Sequence, residues 1–133
     1  MTPEHPARIL VVEDEPAVAR VMAALLRKSG CEVVVAGSPT DAMERLSEPF
    51  DALVLDLRLP EMRGDVFYNL AVLRQPVLRE STLFVSGDLS EQSEDVIRAT
   101  GRPLLAKPFS GQELLAAVAA ILPPSVARLP RVS

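Results

Sequence analysis

The sequence predicts an α/β protein of three layers, with helices on both faces of one parallel sheet. Short β-branched or wholly apolar runs alternate five times with segments of helical periodicity. Strands separated in this way by helices run parallel, and their crossovers are right-handed. The unbroken apolar run Ala52 to Leu55 adds a third sign, because it suits a strand buried on both faces.

The elements follow in order. "RILVVEDEP" reads as a strand over about residues 8 to 13. Asp14 or Glu15 then opens a helix with Pro16 in its first turn. Val18, Val21, Met22, Leu25 and Leu26 recur at helical spacing, Arg20, Arg27 and Lys28 take other faces, and Gly30 supplies the stop. "CEVVVAGS" is a second strand. "SPTDAMERLSEP" is a short helix with Ser38 or Thr40 near its start and Pro49 behind it. "DALVLD" is the third strand and "GDVFYNLAVLRQ" the third helix. "STLFVSG" is the fourth strand, followed by a polar helix, "SEQSEDVIRATG", capped by Ser90. "RPLLAKPF" holds a short fifth strand. "SGQELLAAVAAIL" is the last helix, closed by Pro123 and Pro124, and the remaining "PPSVARLPRVS" has no periodicity and reads as an extended tail. The folded unit is expected over residues 8–122, with short tails at 1–7 and 123–133.

The 133 residues suit one domain with one core, and 48% hydrophobic against 24% charged residues argues against global disorder. No apolar run reaches the roughly 20 residues of a membrane helix, and the N-terminus shows no secretory pattern. A single cysteine, Cys31, forms no internal disulfide and reads as a small residue at the start of a strand, which fits a cytoplasmic setting. The net charge of −4 and the scattered arginines lack the basic stripe of a nucleic-acid binder. The only histidine, His5, stands in a polar tail, away from any partner for catalysis.

In parallel α/β folds ligands bind outside the carboxyl ends of the strands. There the sequence places Glu13 and Asp14 after strand one, Asp56 after strand three, Ser86 after strand four and Lys107 after strand five. Any one of these alone reads as a helix cap or a solvated loop residue; together they form a site. Clustered carboxylates repel, and a hard divalent cation relieves that repulsion. Magnesium prefers oxygen ligands and usually takes one or two carboxylates plus a phosphate oxygen. A lysine and a hydroxyl facing such an ion suit a phosphoryl group. Ser86 has no histidine beside it and there is no Gly-rich phosphate loop, so the reading is phosphoryl transfer onto Asp56, giving an aspartyl phosphate.

From Arg8 to Leu122 the chain resembles the receiver domains of two-component response regulators. The resemblance rests on the acidic pair Glu13 and Asp14, on D-x-x-x-P-x-x-x-G at Asp56, Pro60 and Gly64, on Ser86, and on "KPF" at Lys107 to Phe109. It implies a CheY-like, flavodoxin-like fold with strand order 2-1-3-4-5. It implies that Asp56 accepts a phosphoryl group from a phosphohistidine on a histidine kinase or histidine phosphotransfer protein. Mg²⁺, with Mn²⁺ as the alternative, would be bound by Asp14, Asp56 and the backbone carbonyl of Arg58, with Glu13 acting through water. Lys107 would contact one phosphoryl oxygen and Ser86 another, and the bond from Lys107 to Pro108 would be cis.

The chain also departs from the family pattern. Leu104 stands where an aromatic often precedes the lysine, and Gly101 to Lys107 is one residue short of the common form. Gly87 follows Ser86 where alanine is frequent, leaving phosphate access open. Arg58 and Asp88, two residues after the acceptor and the serine, are expected to form a lid that tunes phosphoryl lifetime. The apolar last helix, with Leu114, Leu115, Val118, Ile121 and Leu122, suggests a partner or homodimer surface. No output domain is expected after it, so a stand-alone regulator and the receiver of a hybrid histidine kinase both fit. Such a protein is not an enzyme in the ordinary sense, although it assists its own phosphorylation and dephosphorylation. The alternative is a phosphorylation-independent, receiver-like binding scaffold. A dehalogenase-type phosphatase would need D-x-D where Arg58 now stands, and a flavin module would need a phosphate loop and stacking aromatics.

Overall fold

Strand alternation sorts the apolar residues of the sheet onto two faces. In β1 (Arg8–Val12), Ile9 and Val11 point one way and Leu10 and Val12 the other. The same division holds in β2 (Glu32–Ala36), β3 (Ala52–Asp56) and β4 (Thr82–Ser86), while β5 (Leu104–Ala106) is a three-residue edge. All five residues of β3 and of β4 are buried, as expected of central parallel strands covered on both sides. The computed structural model describes residues 5–87 and 90–129.

The strands form one parallel sheet in the order β2-β1-β3-β4-β5. Helices α1 (Pro16–Lys28) and α5 (Gly111–Ile121) cover one face, where Met22, Leu26, Leu114 and Val118 meet Ile9, Val11 and Val54. Helices α2 (Pro39–Arg45), α3 (Gly64–Arg74) and α4 (Glu91–Thr100) cover the other, where Ala42, Phe67, Ala71 and Ile97 meet Leu10, Leu53 and Phe84. Tyr68 on α3 packs edge-on against Phe84 of β4, with ring centroids 5.6 Å apart.

The caps follow the sequence closely. Ser38, rather than Thr40, caps α2 by accepting from Asp41 N, Ser90 caps α4 by accepting from Ser93 N, and Ser110 forms a reciprocal capping box with Glu113. Gly101 ends α4 in the left-handed conformation at φ 73°. Glu15 opens α1 without a side-chain cap.

Four expectations change. Val21 is 57% exposed, so the core-facing stripe of α1 rests on Met22 and Leu26. A 3₁₀ turn at Pro76–Arg79 follows α3; its Leu78 is buried and anchors it. Leu114, Leu115, Val118 and Ile121 are buried in the core and Leu122 is partly buried against it, so these apolar side chains of the last helix serve the core. Finally, residues 122–129 after α5 pack back onto the fold. Val126 is 3% exposed within the α1–α5 core, His5 and Val126 form a bridge, and Ala127 N donates to His5 O at 2.8 Å. Over residues 123–129 the missing periodicity goes with an irregular chain that packs through Val126. At the same end Asp51 accepts from Arg8 N at 2.8 Å, and His5 Nε2 lies 3.3 Å from its carboxylate.

Candidate functional site

The strand order decides which loop ends meet. The chain leaves β1 for β2 on one side and returns to β3 on the other, so a crevice opens between β1 and β3 at their carboxyl ends. Glu13 and Asp14 follow β1, Asp56 ends β3, Ser86 ends β4 beside it, and Lys107 follows β5. One carboxylate oxygen from each of Glu13, Asp14 and Asp56 lies within 4.8 Å of the others.

The environments of the acids differ. Glu13 is 1% exposed and Asp56 is 4% exposed, while Asp14 faces solvent. Lys107 Nζ donates to Glu13 Oε2 at 2.9 Å and to Asp56 Oδ2 at 2.8 Å. The second oxygen of Asp56 accepts from Arg58 N at 2.9 Å, and Glu13 Oε1 accepts from Glu15 N at 3.2 Å. Asp56 is thus held at both oxygens, with a cation on one of them. Glu13 shares Lys107 with Asp56, a contact that its sequence position did not announce.

Burial raises the Glu13 pKa to about 7; the Lys107 hydrogen bond works against this and the neighbouring Asp56 adds to it. For Lys107 burial pulls the other way, toward the neutral amine. Hydrogen bonds to Asp56 and Glu13 and the charges of both carboxylates outweigh it, so its pKa lies above the ordinary lysine value.

The loop between β3 and α3 is held close to Asp56 by its glycine. Gly64 N donates to Leu57 O at 2.8 Å. A Cβ at Gly64 would overlap the Asp56 carbonyl oxygen and stand 2.9 Å from Leu57 Cα. Glu61, in the same loop, accepts from Thr40 N at 2.9 Å and from Thr40 Oγ1 at 2.7 Å, tying the loop to the start of α2. Neither contact was foreseen from sequence, because Thr40 and Glu61 are 21 residues apart and carry no joint motif.

An open cavity of about 460 Å³ lies over the carboxylates, lined by Asp14, Glu15, Asp56, Arg58, Gly87 and Lys107. Gly87 has only Lys107 Cβ near the place a methyl would occupy, at 4.0 Å. Ser86 is fully buried, and its carbonyl accepts from Lys107 N at 2.8 Å. The Lys107–Pro108 bond is cis. Asp88 lies outside the described residues. The donor set, three carboxylates and no thiol or imidazole, is that of a hard, oxygen-loving divalent cation, so the residues present fit Mg²⁺.

A parallel five-stranded sheet with an acidic crevice and a lysine at its carboxyl edge defines a receiver architecture. Residues 9–119 match the model of the response regulator receiver domain, and the chain belongs to that family, whose members commonly carry an aspartyl phosphate and bind Mg²⁺ at an acidic pocket. It is 37% identical over 116 residues to the transcriptional regulatory protein CutR of Streptomyces coelicolor, covering 86% of this chain and 52% of CutR. It is 28% identical over 122 residues to protein PilG of Pseudomonas aeruginosa, covering 87% of each. A response regulator from Burkholderia pseudomallei, solved with a phosphorylated aspartic acid and a calcium ion, superposes with a TM-score of 0.75 at 26% identity, covering 84% of this chain and 66% of that one. The chain spans about half the length of the first curated relatives it matches. No helix among the described residues is long and apolar enough to cross a membrane.

Proposed function

We propose that Asp56 accepts a phosphoryl group from a phosphohistidine on a histidine kinase or histidine phosphotransfer protein of the cytoplasm. The observation that carries this is the pair of hydrogen bonds that Lys107 Nζ donates to Asp56 and Glu13, at 2.8 and 2.9 Å, beneath an open cavity. A buried carboxylate is thereby paired with an ammonium and lies within reach of an incoming phosphorus. In the transfer an Asp56 oxygen bonds to phosphorus while the phosphorus–nitrogen bond breaks, and the imidazole nitrogen keeps the electron pair and takes up a proton.

Lys107 is placed to neutralise one phosphoryl oxygen after transfer, when it exchanges its bond to Asp56 for one to the new group. Glu13, Asp14, Asp56 and the carbonyl of Arg58 are the oxygens that would hold Mg²⁺ or Mn²⁺, which supplies further neutralisation of phosphoryl charge. Ser86 ends β4 beside Asp56 and moves to donate to another phosphoryl oxygen. Arg58 lines the cavity and, with Asp88, tunes the access of hydrolytic water. Switching then alters the binding of a partner, in a stand-alone regulator or in the receiver of a larger protein.

Incubation with acetyl phosphate and Mg²⁺ should add the mass of one phosphate, and Asp56→Asn should abolish the gain. A chain that gains no phosphate from any donor would instead be a phosphorylation-independent scaffold.

A further inference from the structure

Helix α3 carries apolar residues around its whole circumference, yet the core covers only part of it. Phe67, Tyr68, Ala71 and Val72 are buried, whereas Val66, Leu70 and Leu73 fall at helical spacing on the outer face and are 44, 39 and 80% exposed. Val77 extends this stripe onto the following turn, 48% exposed. No other element of the described structure shows so many exposed large apolar side chains together.

The stripe ends in a basic groove. Because α3 and α4 run back from the carboxyl edge, their C-termini, and the residues entering β4 and β5, gather at the opposite edge of the sheet. A groove of about 550 Å³ lies there between α3 and α4, with Tyr68, Leu73, Arg79, Ala99 and Arg102 among its lining. Arg102 Nη1 donates to the carbonyl of Glu80 at 2.6 Å. Arg74, Arg79 and Arg102 have no carboxylate partner among the described residues, although the chain as a whole is acidic at −4. Glu80 is the one acid in the lining, and its carboxylate pairs with neither arginine.

We propose that this α3–α4 face docks an acidic amphipathic helix of a partner protein. Its apolar side chains lie on Val66, Leu70, Leu73 and Val77, and its carboxylates reach Arg74, Arg79 and Arg102. The charge of the rim selects the occupant: guanidinium groups with no carboxylate partner among the described residues, one of them held by the Glu80 carbonyl, suit incoming carboxylates. The concave floor beside Leu73 fits a helix better than a flat lipid surface. The basic groove lies at the edge opposite Asp56, while the apolar stripe begins at Val66, two residues after Gly64 at the acceptor's edge.

The test uses the full chain and a fluorescein-labelled synthetic helix with leucines at i, i+3, i+4 and i+7 and glutamates on its flanks. Anisotropy should show saturable binding that weakens with salt, and a version with lysines for glutamates should not bind. Leu73→Glu should weaken binding about tenfold or more, and Arg79→Ala with Arg102→Ala should do the same. Both variants should still take up phosphate at Asp56, which shows that they fold. Equal binding by Leu73→Glu, or binding of anionic phosphatidylserine vesicles in preference to the peptide, would overturn the proposal. So would dimerisation of the chain that Leu73→Glu abolishes while the peptide fails to bind.

Discussion

Lys107 Nζ stands 2.8 Å from Asp56 Oδ2, and the same ammonium holds Glu13 at 2.9 Å. One cation therefore balances two buried carboxylates. Lys107→Ala removes the ammonium that both acids share and leaves buried carboxylates without it. At pH 8 the metal-free variant should lose about 3 kcal/mol of stability, the cost of breaking a buried pair. Urea unfolding measures this, and phosphate uptake from acetyl phosphate should fall as well. A variant as stable as the parent would contradict the assigned balance.

The pH dependence of the metal-free chain follows from Glu13. Its pKa is raised from 4.5 to about 7, so between those values the folded state holds a proton that the unfolded state has released. This site's contribution to stability is therefore full below about 4.5, declines as the pH rises toward 7, and is lost above it. Lys107, raised above 10.5, keeps its contribution across that whole window and loses it only in strong alkali. Glu13→Gln should flatten the decline in midpoint between pH 4.5 and 7. An unchanged slope in that variant would locate the titration elsewhere.

Gly64→Ala should be costly, because the added methyl meets backbone rather than a movable side chain. The Asp56 carbonyl and Leu57 Cα must shift, and with them the acceptor. A loss of about 2 to 3 kcal/mol is expected for such overpacking, together with slower phosphorylation. Gly87→Ala is the matched control: its methyl reaches only Lys107 Cβ at 4.0 Å, so stability should hold while access narrows.

Arg58 lines the acceptor cavity and donates its backbone N–H to Asp56 Oδ1 at 2.9 Å. Replacing its side chain, alone or with Asp88, leaves that backbone bond in place. The rate of loss of the aspartyl phosphate should change several-fold, followed by mass spectrometry after the donor is removed. An unchanged rate would take both residues out of lifetime control.

The segment after α5 contributes to the core through Val126, which is 3% exposed. Val126→Ala should cost about 1 to 2 kcal/mol, in line with removal of buried methyls. Thermal unfolding tests this; no loss would mean the segment is dispensable.

The order of strands and helices, the cap at Ser90, and the convergence of Glu13, Asp14, Asp56, Ser86 and Lys107 on one edge were legible in the sequence. They are legible because each depends on local periodicity, local capping chemistry or strand order, which neighbouring residues encode. Val21, turned outward on α1, and the buried leucines of α5 were not, since an apolar residue does not state which face of its helix the sheet will cover. The Thr40–Glu61 tie, the contact of Glu13 with Lys107 across 94 residues, and the packing of Val126 beside His5 were decided by the tertiary structure alone. Gly64 joins both levels. Its place eight residues after Asp56 is visible in the chain, but the reason appears only where helix α3 returns so close to the acceptor's own carbonyl that no side chain fits between them.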